Sequence, residues 1–184
     1  MIKKGIQFAI LTFLAYLLQT TVAHAITIGG VAPNIAIALI SIISIALGRK
    51  YTFVMSLAVG YLMEIMVPSL DYIYLILYPV CAMLGALAFA DKSERRLEEE
   101  RTSGKKMLLL PAHIRTMLCA TVSAAVFESV NLLYVYLSGI SMNAGHYSRA
   151  LLSVLYTALL AGILQFPIRA WFGTNKLKKA VRLR

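Results

Sequence analysis

Charge is what this chain has least of. Only 14% of its 184 residues are Asp, Glu, Lys or Arg, against roughly 25% in soluble domains, while 60% are hydrophobic and the mean hydropathy is +0.77. An ordinary soluble domain is excluded, and an integral membrane protein is indicated. Cysteine is nearly missing: Cys81 and Cys119 both fall in apolar runs and match no C-x-x-C or zinc spacing, so they read as reduced packing residues. His24 and His146 have no carboxylate or thiol at ligand spacing, and they read as surface histidines, as does His113 in an interfacial segment. There is no G-x-x-x-x-G-K-[ST], no H-E-x-x-H and no G-x-S-x-G. No catalytic residue, metal or cofactor is therefore expected, and the chain does not read as an enzyme.

What charge there is lies in blocks. Asp91 to Lys106 holds eleven charged side chains in sixteen residues, too many for hydrocarbon, where each would cost about 2.5–3.5 kcal/mol at a helix centre. An aqueous loop over 91–106 leaves room for four membrane spans before it and two after it. The expected fold is all-α: one polytopic domain, 1–184, with six transmembrane helices over roughly 5–23, 34–48, 51–67, 72–90, 112–137 and 149–171. In this arrangement every Lys and Arg except Arg149 lies at or near one side, which the positive-inside rule makes cytoplasmic, along with both termini. The net charge of +10 is thereby explained by topology, and nucleic acid is not expected as a partner. The basic tail over 173–184, with Lys176, Lys178, Lys179, Arg182 and Arg184, suits anionic lipid or simply fixes topology.

Local signals refine this picture. Lys3 and Lys4 ahead of an apolar run, with Ala23-His24-Ala25 after it, resemble a signal peptide, but the run exceeds a signal h-region and a retained span is expected. Pro33 suits the first turn of a short second span, and Pro79 a kink in the fourth. Oppositely charged pairs four apart, Arg95 with Glu99 and Arg96 with Glu100, predict that the fourth helix continues past Asp91 towards Thr102-Ser103-Gly104. Small residues at helical spacing, Ser41, Ser44 and Gly48, Ser56 and Gly60, Ala158 and Gly162, predict close helix packing.

Two intramembrane carboxylates stand out. Glu64 and Glu128 each lie thirteen residues beyond a cytoplasmic boundary marker, Tyr51 and Arg115, hence both roughly 20 Å up at 1.5 Å per residue. Membrane-embedded acids are functional candidates or structural pairs, and both readings stand. Two carboxylates at one depth need a cation, and Arg149 is the one available from the outer side, with Asp71 and Asn131 to complete a polar cluster. The expectation is an outward-opening polar pocket, with Arg149 bridging Glu64 and Glu128, that receives a partner's membrane helix.

Three segments resemble the family of the rod-shape-determining protein MreD. They are Pro33-Asn34 before an aliphatic run, Gly60-Tyr61-Leu62-Met63-Glu64 near the end of the third span, and Gly162 through Pro167 to Trp171 before a basic tail. Glu64 stands where that family usually has Asp, and a bulky Tyr61 precedes it. The resemblance implies a non-catalytic scaffold of peptidoglycan elongation in the bacterial plasma membrane. MreC, whose membrane helix would enter the pocket, the actin-like MreB, the polymerase RodA and a class B penicillin-binding protein are the implied partners. The alternative is a substrate-binding membrane subunit of an energy-coupling-factor-type vitamin transporter, also a six-helix protein of this size. Such carriers dock their partner through small residues spaced by four on the first helix, and Ala9 and Ala15 do not have that spacing.

Overall fold

The computed structural model describes residues 2–66, 72–90 and 111–173. Among them there is no β-strand, and these residues form six helical rods. The first is α1 (Ile2–Leu17), a π turn (Leu18–Val22) and α2 (Ala23–Ala25) in succession; then come α3 (Ile35–Leu47), α4 (Arg49–Met66), α5 (Ile73–Phe89), α6 (Ala112–Leu137) and α7 (Ala144–Trp171). Gly5–Ala25, α6 and α7 are long and apolar enough to cross a membrane, whereas α3 and α5 are apolar but shorter. α4 has 18 residues and carries Arg49, Lys50 and Glu64.

α3 is the axis of the bundle. It touches every other rod, and all ten residues from Ile35 to Ser44 are buried. Its 13 residues reach only about 20 Å, less than a hydrocarbon core of about 30 Å. Where an end of so short a helix lies below a membrane surface, protein and not water must satisfy its backbone. The Asn34 side chain accepts from the Ile37 amide at 3.0 Å, the Asn34 amide donates to Thr157 Oγ1 at 2.9 Å, and the Ala36 amide donates to Gln19 Oε1 at 3.1 Å. Gln19 reaches across from the π turn, whose loosened backbone is held by Thr20 and Thr21 hydroxyls donating to the carbonyls of Tyr16 and Leu17. At the other end the Gly48 amide donates to the Ser44 carbonyl, and Thr52 donates from both its amide and its hydroxyl to the Gly48 carbonyl.

In lipid there is little hydrophobic drive between helices, so close packing must hold the rods together. Two glycines allow it. A Cβ on Gly60 would lie 2.6 Å from the Tyr74 carbonyl oxygen, where α4 crosses α5. One on Gly85 would collide with Ser123 Oγ and stand 2.9 Å from the Cys119 carbonyl, where α5 crosses α6. Leu151, Leu155, Leu159, Ile163 and Phe166 form a stripe down α7 in which every residue is at least half exposed, the face expected to meet lipid.

Arginines fasten the opposite end. Arg49 donates to the Ala90 carbonyl from Nε at 3.3 Å and from Nη2 at 2.9 Å, and Arg115 donates to the Phe89 carbonyl. Arg169 donates to the Ala112 carbonyl and to Thr116 Oγ1. Cations at a helix C-terminus are favourable with its dipole. α5 ends at Phe89 with Ala90 extended, and the helical continuation expected past Asp91 lies outside the described residues. The sixth rod differs from expectation: it starts at Ala144, five residues before Arg149, because Asn143 and His146 cap it there.

Candidate binding cleft

α6 and α7 run antiparallel and present matching faces. Glu128, Asn131, Leu132 and Val135 are at i, i+3, i+4 and i+7 on α6; His146, Arg149, Ala150 and Ser153 have the same spacing on α7. Between them, roofed by Gly30, Val31 and Ala32, lies a cleft of about 280 Å³. The roof is a tight turn: Ile28 and Val31 exchange backbone hydrogen bonds at 3.1 Å, and Gly29 and Gly30 between them have φ of 61° and 75°. Two consecutive positive φ angles are what such a turn requires, and glycine supplies them without a Cβ penalty. The Tyr156 hydroxyl donates to the Ile26 carbonyl at 2.9 Å, which fastens the start of this loop to α7.

Polarity is graded along the cleft. At its base Ser153, 5% exposed, donates to Glu128 Oε1 at 2.7 Å. Nearer the mouth are Asn131, Arg149 and His146, with Val31, Leu132, Val135 and Ala150 as aliphatic sides. His146 Nδ1 accepts from the Asn143 amide at 3.3 Å, so the neutral ring carries its proton on Nε2. Among the described residues Arg149 makes no hydrogen bond or ion pair, and it is exposed. An acid and a base thus line one small space without meeting.

The polar cluster read from the sequence divides in two. Glu128, Asn131 and Arg149 come together; Glu64 does not join them. Its Oε1 accepts from the Tyr72 amide at 3.0 Å and its Oε2 from the Tyr74 amide at 2.9 Å, which caps the start of α5 and holds Tyr72 at φ 65°. Arg149 therefore bridges no pair of carboxylates here. Gly60, one turn below Glu64, lets α4 press on the same stretch of α5. Pro33 and Asn34 are buried at the head of α3. Asp71 and the tail residues Lys176, Lys178, Lys179, Arg182 and Arg184 lie outside the described residues.

The cleft holds about 280 Å³ between the two helices, a space on the scale of a small ligand or a few side chains. Sequence reasoning missed Ser153, the Gly30–Ala32 roof and the place of His146, although positions 146 and 153 share a helix face with Arg149 and could have been found by that spacing. It missed Gln19 and Thr157 too, whose roles depend on a π turn and on a distant helix. No protein-family model, curated protein or solved structure matches the chain.

Proposed function

We propose that this chain is a non-catalytic, six-span component of the bacterial plasma membrane that scaffolds the cell-wall elongation machinery, in the manner of MreD. Both termini and the 91–106 loop face the cytoplasm in this reading, and the cleft faces outward. MreC, MreB, RodA and a class B penicillin-binding protein are the proposed partners. The observation that carries the reading is where the resembling residues stand in the fold. Asn34 caps the central helix, Gly60 and Glu64 build the α4–α5 hairpin, and Gly162 packs against Met117 of α6. A scaffold needs side chains that hold a frame more than it needs side chains that react, and these hold the frame. The frame leaves α1, α4 and α7 with broad exposed apolar faces, available to lipid and to partner helices.

The cleft favours a second reading, the substrate-binding membrane subunit of an energy-coupling-factor-type vitamin transporter, because a built polar cavity suits a small ligand. Depletion in a rod-shaped host separates the two. Round, swollen cells with misplaced wall synthesis support the scaffold; normal rods with a vitamin requirement support the carrier and overturn the scaffold.

A further inference from the structure

We propose that the cleft between α6 and α7 binds a zwitterion, with its ammonium group donated to Glu128 and its anionic group held by Arg149 and His146. The proposal does not depend on the wall-elongation reading and stands on the geometry of the cleft alone. Among the described residues Glu128 is hydrogen-bonded by Ser153 and Asn131 and has no cation partner; Arg149, on the same wall as Ser153 and four residues before it, has no anion partner among them either. Four residues rise about 6 Å along the axis, so the two groups are offset along the cleft. A half-buried carboxylate without a cation is costly, and a ligand that brings the ammonium relieves it. The same ligand must carry an anion, because its other end lies beside a guanidinium and an imidazole N–H.

Depth narrows the choice of ligand. α7 has 28 residues and is about 42 Å long, which exceeds a core of about 30 Å and lets each end project into the headgroup layer. Arg149 is five residues from the start of α7 and Ser153 nine, so they fall roughly 8 Å and 14 Å along it. The cleft therefore straddles the boundary between headgroups and hydrocarbon. An ammonium and a phosphate joined by two carbons fit it, and they come either as the headgroup of an aminophospholipid or as a free phosphoethanolamine-like solute. The aliphatic walls, Val31, Leu132 and Val135, suit the first source by covering the carbons that follow the phosphate.

The test uses the full chain purified in detergent. Phosphatidylethanolamine, phosphatidylcholine and phosphatidylglycerol of equal chain length are offered at equal concentration, and retained lipid is counted by native mass spectrometry. Choline has no N–H to give Glu128, so phosphatidylethanolamine should be retained about tenfold over phosphatidylcholine, the worth of one hydrogen bond to a charged group. Glu128→Gln should abolish that preference and Arg149→Gln should lower retention of both lipids, while circular dichroism and elution volume stay unchanged. Soluble phosphoethanolamine is titrated in parallel by thermal shift; stabilisation by it, with no lipid preference, assigns the site to a free zwitterion. Equal retention of all three lipids with no response to phosphoethanolamine overturns the proposal. So does a preference for phosphatidylglycerol, which would make Arg149 an anion site only. Both of these comparisons are read on the wild-type protein and need no variant to fold.

Discussion

Replacing Glu64 separates a cap of α5 from a member of a polar cluster shared with Glu128. The two carboxylate oxygens of Glu64 accept from the amides of Tyr72 and Tyr74 at 3.0 and 2.9 Å, and hydrogen bonds to a charged group contribute about 1.5–3 kcal/mol each. Not all of that is lost in Glu64→Ala. Tyr72 is 66% exposed, so its amide can turn to water or headgroups, and release from φ 65° returns about 1–2 kcal/mol of left-handed strain. The Tyr74 amide is part-buried and has no such exit. The expected net loss is about 2–3 kcal/mol. Glu64→Gln, which keeps one acceptor oxygen and points an NH₂ at the other amide, should lose about half as much. Unfolding titrations with sodium dodecyl sulfate in mixed micelles measure both. The decisive number is the coupling to Glu128→Ala: sites with no shared partner add within about 0.5 kcal/mol. A coupling above about 1 kcal/mol, or a Glu64→Ala protein as stable as wild type, would refute the separation of the two carboxylates.

Three further outcomes are expected. Asn34→Ala removes the cap of a buried helix end and should cost about 1–3 kcal/mol, whereas Asn34→Ser, which keeps an uncharged acceptor at the cap, should restore part of it; the same titration reads both. Gly85→Val puts a branched side chain against the Cys119 carbonyl and Ser123, so the loss of folded, monodisperse protein on size-exclusion chromatography should be severe, and a protein of normal stability would mean that α5 and α6 do not cross there. Single cysteines at positions 103 and 141, in a background without Cys81 and Cys119, should label from opposite sides with an impermeant thiol reagent; labelling from one side ends the six-span topology.

The sequence by itself decided what depends on counting along the chain. Apolar runs and their charged stops announce helices of membrane type, and the shortness of the second run already makes α3 a segment that protein must cover. Pro33 is expected in the first turn of this helix, but Asn34 is the cap and Pro33 stands just outside it. Depth is also a matter of counting, and Glu64 and Glu128 were placed at one level by it. Depth does not say which face a side chain shares with which neighbour, and that was left to the packing. α4 lies on α3 and α5 while α6 lies on α3, α5 and α7, so Glu64 meets the start of α5 and Glu128 meets Ser153. The arginines show the same division. Charge bias predicts their side of a membrane, but that Arg49 and Arg115 would meet the carbonyls at the end of α5 needed helices from three parts of the chain to converge. Periodicity along one helix is a local property; the partner that answers a polar group in hydrocarbon is chosen by the fold, because every unsatisfied backbone group there must find whatever protein is nearest.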